Sequence, residues 1–193
     1  MPPVHVDPRK VHAFEDAEDF EAWLQAHHDR ESEVWIKHHK KGSGLRSVTP
    51  KEAIDVVLCW GWIDAVRKAL DETSFLQRYT PRTPRSIWSQ INVANVARLI
   101  EEGRMRPAGQ HEIDRAKADG RWDAAYRQSD GDLPVEFKTL LDADPQLAAA
   151  FAAQSAQNRF AMTFRVGNLK RPESRAARAA EYAEMLKRGE SIH

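Results

Sequence analysis

The first periodic pattern of apolar residues predicts an amphipathic helix near the start of the chain. Apolar or aromatic side chains recur at i, i+3, i+4 and i+7, which places four residues on one helical face: Phe20, Trp23, Leu24 and His27. Asp16 precedes them, and aspartate is a favoured residue at a helix N-cap. We therefore expect a helix between Asp16 and His28.

Three later segments predict the strands of a small sheet. Residues 34–41 alternate with a period of two, so Val34 and Ile36 share one face, and Trp35 and Lys37 share the other. Residues 62–70 and 75–80 follow as a hairpin. Residues 49–60, between the first and second of these strands, predict a helix with a threonine cap, a proline in the first turn and a glutamate at the third position. We expect an antiparallel sheet of about three strands with a crossing helix.

The rest of the chain predicts helices and a change of domain. Prolines or serines begin each apolar periodic segment after residue 88, and glycines end two of them. Ile100 is predicted to face inward on the first of these helices, and the inward residues of the last one are Ala176, Ala180, Ala183 and Leu186. That last helix also carries a stripe that is more typical of a solvated face than of a nucleic-acid surface: Arg171, Arg175, Arg178 and Tyr182. Residues 127–133 are polar and typical of turns. We expect an α+β core over residues 1–126, and a helical C-terminal region over 134–193 that packs on the core or is tethered to it. The fold class is α+β.

Charge is unevenly distributed along a chain whose formal net charge is zero. Residues 1–31 hold 3 basic and 8 acidic side chains, whereas residues 32–109 hold 13 basic and 8 acidic ones. The middle segment is thus the candidate for facing an anion, and the alternative is that both segments are ordinary solvated surfaces. Zero net charge argues against nucleic-acid binding.

The first residues and the lengths of the apolar runs give an expectation for the cellular location of the protein. We find neither a secretion signal nor an apolar run of the ~20 residues that a membrane span needs, so we expect a cytoplasmic protein without a membrane span. The single cysteine, Cys59, excludes an internal disulfide and lies in an apolar run, where it is expected to be buried and inert.

The predicted strand over residues 62–70 is unusual because charges alternate onto both of its faces. Strict alternation places Asp64 and Lys68 on one face, and Arg67 and Asp71 on the other. A buried charge needs a partner, and residues four apart on a strand lie ~13 Å apart, so pairing within the strand is poor. Two explanations stay open: a ladder of salt bridges across the sheet, or a binding site.

A proline-rich segment after the sheet presents two further cations and a tryptophan. Pro81 and Pro84 fix the backbone ahead of Arg82, Arg85 and Trp88, and arginine is suited to bidentate contact with carboxylate or phosphate. The alternative is that both arginines pair with acidic residues of the first helix, namely Asp19 and Glu21.

Several motifs resemble one known family. They include residues 60–64 (WGWID), 71–74 (DETS), 77–82 (QRYTPR) and 86–89 (SIWS), and continue through 118–122 (ADGRW) to 170–175 (KRPESR). This series resembles the YdeI/OmpD-associated proteins, also called bacteriocin-protection proteins, over about residues 32–190. The resemblance implies a bacterial α+β protein linked to stress tolerance and to resistance against antimicrobial peptides. It supplies no catalytic mechanism.

These observations predict a non-enzymatic binding protein with an anionic small molecule or protein partner. The rival is a small hydrolase or transferase that uses Asp64 or a histidine as acid and base in the same cleft. We predict no metal site and no cofactor, and the oligomeric state is left open. The candidate ligand-binding residues combine cations, aromatic rings and one carboxylate: Lys37, Trp60, Trp62, Asp64, Arg67, Lys68, Tyr79, Arg82, Arg85 and Trp88.

Overall fold

The computed structural model describes residues 5–126 and 133–192, and these residues form an α+β protein, as predicted. They fall into two compact units, one within residues 1–127 and the other within residues 128–193. Of the segment 127–133, where the sequence predicts the domain boundary, only Leu133 belongs to the described residues. None of the described helices is long and apolar enough to cross a membrane.

The first unit contains one sheet, whose strands lie in the order β1, β2, β4, β3. β1 pairs with β2 in parallel, and the other two pairings are antiparallel. A fourth short strand, β1, thus joins the three that the sequence predicts. The strand bounds are β1 Val11–His12, β2 Val34–His39, β3 Trp62–Ala69 and β4 Ser74–Pro81.

Four helices accompany the sheet in the first unit, and each begins where its sequence signal predicts. In α2, the Thr49 hydroxyl accepts a hydrogen bond from the backbone N of Glu52 (3.3 Å), and the Glu52 carboxylate accepts one from the backbone N of Thr49 (2.8 Å). Such a reciprocal capping box satisfies two otherwise unpaired donors. The helices are α1 Ala17–His27, α2 Pro50–Cys59, α3 Gln90–Glu101 and α4 Pro107–Ala118.

The face of the sheet that packs on the helices, here called the inner face, carries the main hydrophobic core. Val34 and Ile36 of β2, Tyr79 of β4 and Trp62 of β3 are all buried in one cluster with apolar residues of α1, α2 and α3. The opposite, outer face carries Trp35 and Lys37 on β2, as the alternation predicts. α3 contributes Val96 and Leu99 to this core, whereas Ile100, which the sequence places inward, is 44% exposed.

A β-bulge interrupts β3 and corrects the predicted faces of that strand. Asp64 pairs with Tyr79 and Arg67 pairs with Gln77, so three steps along β3 match two steps along β4. Residues opposite each other in a sheet share a face, so Arg67 lies with Asp64 on the inner face. Lys68, which strict alternation groups with Asp64, instead lies on the outer face beside Leu76.

The second unit is helical and has its own hydrophobic core. Phe137, Leu141, Met162 and Val166 pack there against the last helix. The bounds of its helices are α5 Val135–Ala143, α6 Pro145–Ala152, α7 Ala156–Gly167 and α8 Pro172–Lys187.

The buried stripe of α8 is rotated from the predicted one. Ala183 and Leu186 are buried as predicted, whereas Ala176 and Ala180, also predicted to face inward, are exposed. Ala179 and Tyr182 are buried instead. Arg175, which the sequence places on a solvated basic stripe, is partly buried and pairs with Glu136 of α5 at 2.7 Å. The prediction of this stripe as a solvated surface is therefore wrong at Arg175 and Tyr182.

Candidate functional site

Arg82 is the most deeply buried cation of the predicted site. It follows the last residue of β4, and its backbone N donates to the carbonyl of Gly61 at 2.9 Å, which ties the end of β4 to the start of β3. Its side chain is 5% exposed and stacks on Trp88, with the guanidinium carbon 3.5 Å from the ring centroid. One terminal nitrogen, Nη1, donates to the carbonyl of Ile87 at 3.2 Å.

Three donors of this stacked pair are buried without an acceptor among the described residues. They are Nε and Nη2 of Arg82 and Nε1 of Trp88. An unsatisfied buried donor costs about 1–3 kcal/mol, and more when it is charged, so such groups call for an explanation. Burial lowers the pKa of the Arg82 guanidinium to about 10, which leaves it charged at neutral pH. The arrangement therefore offers a cation and several hydrogen-bond donors to an acceptor.

The carboxylates around Arg82 interact with it electrostatically without forming an ion pair among the described residues. Glu112 of α4 and Asp64 of β3 both favour its charged form. Glu112, however, forms its ion pair with Arg115, one turn along the same helix. Arg121, which disfavours the charge on Arg82, pairs with Asp119 at 2.7 Å and donates to the Ser86 carbonyl at 2.8 Å.

Asp64 lies within electrostatic range of two arginines on the inner face. Desolvation by neighbouring atoms raises the pKa of its carboxyl, and the charges of Arg82 and Arg67 act in the opposite direction. Its side chain nevertheless keeps an exposed surface on the outermost strand of the sheet, where solvent screens the charge. Arg67 donates to the side-chain oxygen of Gln77 at 3.0 Å, and its guanidinium lies 4.4 Å from the Phe75 ring centroid.

The segment after α4 completes the site with residues that the sequence analysis missed. Trp122 packs against Trp88 with ring centroids 4.9 Å apart, and the backbone N of Tyr126 donates to the Trp88 carbonyl at 3.0 Å. Burial raises the pKa of the Tyr126 hydroxyl, and the charge of Asp64 adds to that effect. No local signal connects residues 119–126 with residue 82, although the resemblance motif at 118–122 marked part of the segment. We call five residues the Arg82 cluster: Asp64, Arg67, Arg82, Trp88 and Tyr126.

A buried histidine lies next to the cluster on the inner face. Nδ1 of His38 is 2.7 Å from the Val48 carbonyl, and Nε2 is 3.1 Å from the Tyr79 hydroxyl. Because a carbonyl only accepts, Nδ1 carries the proton, and Nε2 accepts from Tyr79. Burial lowers the pKa of His38, which favours this neutral form, and burial likewise raises the pKa of Tyr79. Both ring nitrogens are thus already engaged.

The remaining predicted residues lie outside the Arg82 cluster. Lys37 and Lys68 are on the outer face, on either side of Leu76. Trp62 is buried in the core, where its indole nitrogen donates to the His28 carbonyl at 3.2 Å. The structure therefore brings together three predicted charged residues, Asp64, Arg67 and Arg82, with Trp88, and places the two lysines on the other side of the sheet.

The last two predicted residues, Trp60 and Arg85, lie elsewhere in the first unit. Trp60, at the end of α2, packs on His28 with ring centroids 4.7 Å apart and lies near Arg106. Arg85 is exposed, and its side chain makes no hydrogen bond or ion pair with the described residues.

The alternative that Arg82 and Arg85 pair with acidic residues of α1 is wrong. Glu21 pairs with Arg106 of the loop before α4, at 2.5 Å. The carboxylate of Asp19 accepts a hydrogen bond from the backbone N of Glu15 at 3.3 Å. The charge of Arg82 is therefore not neutralised by the first helix.

Two further chemistries were tested against the described residues. Within residues 5–126 and 133–192, no group of three or more His, Cys, Asp or Glu side chains is placed to hold a metal ion. Cys59 is buried, and burial raises the pKa of its thiol to about 11, so the thiolate form is disfavoured at neutral pH.

The family comparisons divide the chain in two. Residues 12–112 match a domain of unknown function, DUF8412, and residues 130–189 match the family described as Bacteriocin-protection, YdeI or OmpD-Associated. All four motifs between residues 60 and 89 thus lie in the first match, although the sequence resemblance assigned them to the second family. No curated protein and no solved structure matches the chain. The chain belongs to the DUF8412 family, whose match spans more than half of its length, and its second unit is of the YdeI or OmpD-associated, bacteriocin-protection type, as the motifs predicted.

Proposed function

We propose that this bacteriocin-protection-type protein binds a small oxyanion at the Arg82 cluster, with no chemical reaction. The observation that carries the proposal is the set of buried, unpartnered donors on Arg82 and Trp88. A phosphate or carboxylate oxygen is the acceptor that such donors prefer, and arginine holds it with defined geometry. Binding would supply acceptors to donors that have none among the described residues.

The charge balance of the cluster also supports an anion. Arg67 and Arg82 carry two positive charges, and Asp64 carries one negative charge. Glu112 and Arg121 are held by their own partners and add little to the balance. The cluster is thus left with an excess of one positive charge. In a partly desolvated site this charge attracts an anion more strongly than it would in water.

A pair of arginines in one segment gives the direct test. We would titrate inorganic phosphate and acetate into the protein by calorimetry, and compare Arg82→Gln with Arg85→Gln. Loss of binding is expected for Arg82→Gln only, because Arg85 is exposed and makes no side-chain hydrogen bond or ion pair with the described residues. Equal affinities for the two variants and the parent protein would contradict the proposal.

A second variant keeps the buried cation and is expected to raise the affinity for phosphate, whereas Arg82→Gln lowers it. In Asp64→Asn the negative charge near Arg82 is absent, so we expect phosphate to bind several-fold more tightly. Arg67→Ala is expected to weaken binding, since it removes the second cation. If phosphate affinity is unchanged in both variants, the cluster is a structural feature and not a binding site.

The raised pKa of Asp64 favours the rival function, an acid–base enzyme. A carboxyl whose pKa is shifted upward is suited to general acid catalysis, but the exposed surface of Asp64 reduces the shift that solvent allows. His38 does not supply the base, since both of its ring nitrogens are engaged. Hydrolysis of nitrophenyl esters or phosphates by the parent protein and its loss in Asp64→Asn would favour the enzyme.

A further inference from the structure

The outer face of the sheet carries an open groove with one charged residue in its lining. Its volume is about 490 Å³, within the ~300–1,000 Å³ that small-molecule sites occupy. The charged residue is Lys68, and the six other lining residues are apolar: Val6, Pro8, Val11, Ala69, Leu70 and Leu76. The groove lies on the face of the sheet opposite the Arg82 cluster.

The strand register explains why a cation lies beside apolar residues there. Lys37 of β2 and Lys68 of β3 are both paired with Leu76 of β4, so one row across the outer face reads lysine, leucine, lysine. Neighbouring strands are ~4.8 Å apart, so the two lysine backbones lie roughly 10 Å apart with Leu76 between them. The bulge in β3 places Lys68 on this face.

The apolar part of the groove is built from three segments of the first unit. Val6 and Pro8 come from the segment before β1, Val11 from β1 itself, and Leu70 from the turn after β3. Leu70 is 49% exposed, which is unusual for a leucine beside a sheet. Leu76 is buried, yet it belongs to neither of the two hydrophobic cores. An apolar surface of this kind is a candidate for covering by a ligand.

We propose that this groove binds a free fatty carboxylate. Its alkyl chain lies along Leu70, Leu76 and Val11, and its carboxylate is attracted by the ammonium group of Lys68. An apolar lining with one cation fits a ligand with an apolar body and a single anionic end. No acidic side chain is among the lining residues that the structure describes, so an amphipathic cation meets no counter-charge from them.

The test uses dodecanoate below its micelle concentration, titrated into the whole chain by calorimetry. Dodecyltrimethylammonium has the same alkyl chain with the opposite charge and serves as the matched ligand. We expect dodecanoate to bind about tenfold or more tightly than the cation, a ratio typical of one favourable charge contact in place of a repulsive one. Similar affinities for the two ligands would overturn the assignment of Lys68.

Two variants and two controls locate the site. Lys68→Glu and Leu70→Glu are each expected to weaken dodecanoate binding by about tenfold or more, through charge reversal and through burial of a carboxylate. The controls are Lys51→Glu on α2 and Leu45→Glu, which alter an exposed lysine and an exposed leucine away from the groove. Unchanged affinity in both groove variants, with folding intact by circular dichroism, overturns the proposal.

The surface of an anionic membrane also combines alkyl chains with negative charge, and one further experiment distinguishes it from a free fatty carboxylate. Vesicles of anionic phosphatidylglycerol are tested by co-sedimentation. Binding to vesicles without binding of monomeric dodecanoate would overturn the proposal in favour of a membrane surface. Phosphate binding at the Arg82 cluster is measured separately in Lys68→Glu, so failure at one site is distinguished from failure at the other.

Discussion

Directly after β4, Arg82 is buried against Trp88 of the main hydrophobic core and forms no ion pair with the described residues. On the outer face, Arg78 is 35% exposed in its side chain and pairs with Glu33 at 2.5 Å. Both cations belong to β4 or follow it directly. The partly exposed arginine has a carboxylate, whereas the buried one, for which an unpaired charge costs more, has only an aromatic ring and a carbonyl. The anion that we propose at Arg82 would account for this difference.

The largest loss of stability is expected when the indole ring of Trp88, on which Arg82 stacks, is removed. Trp88→Ala removes a buried side chain that packs on both Arg82 and Trp122, so we expect a loss of about 3–5 kcal/mol in the free energy of unfolding. Urea denaturation followed by circular dichroism measures it. On the outer face, Lys37→Ala is the control and is expected to stay within about 0.5 kcal/mol. Equal losses would remove the distinction between the two faces.

The hydrogen bond between His38 and Tyr79 tests the buried polar groups of the inner face. Tyr79→Phe leaves Nε2 of the buried His38 without its donor, and we expect a loss of about 1–3 kcal/mol. Denaturant unfolding provides the measurement. A change below about 0.5 kcal/mol would mean that water or another group replaces the hydroxyl.

The same histidine predicts a dependence of stability on pH. Because burial lowers the pKa of His38, the folded protein binds this proton more weakly than the unfolded chain does. Stability is therefore expected to decrease as the pH falls below the ordinary histidine value of about 6.5, by at most about 1.4 kcal/mol per pH unit. His38→Gln should reduce this slope between pH 6.5 and 5, whereas the outer-face variant His39→Gln is the control. An unchanged slope in His38→Gln contradicts the prediction.

The smallest change in stability is expected at Arg78, which already forms an ion pair with the carboxylate of Glu33. Arg78→Met removes the partly exposed ion pair with Glu33, and such pairs contribute about 0–1 kcal/mol. Thermal unfolding in low and in high salt measures it, and the parent protein should lose the same small increment in high salt. A loss above about 2 kcal/mol would show that the outer-face pair is more than a surface contact.

The elements that the sequence predicted well are those with local signals. The Thr49 cap with Glu52, the Asp16 cap and the prolines at the starts of α4 and α8 depend on neighbouring residues alone, and the structure has helices at each of them. The same holds for the alternation of β2. Local hydrogen bonds and fixed backbone angles determine these features, so the sequence is sufficient to predict them.

The face of Arg67 and the surroundings of Arg82 could not be predicted in the same way. The bulge in β3 depends on the register with β4, and alternation counted along one strand does not detect it. The electrostatic interactions of Arg82 with Glu112 and Tyr126 join residues 30 and 44 positions apart in the sequence. Two of the three alanines of α8 that were predicted to face inward, Ala176 and Ala180, are exposed. Ala176 and Ala179 are equally apolar, so composition alone does not fix the rotation of the helix.

The bulge in β3 changes which residues of the strand face the helices, and β3 pairs with β4 on both sides of it. Before the bulge, even-numbered residues point toward the helices; after it, odd-numbered ones do. If the same residues were paired with β4 without the bulge, strict alternation from Asp64 would place Lys68 on the inner face and Arg67 on the outer one. One extra residue in β3 is thus enough to decide which of the two adjacent cations faces which surface.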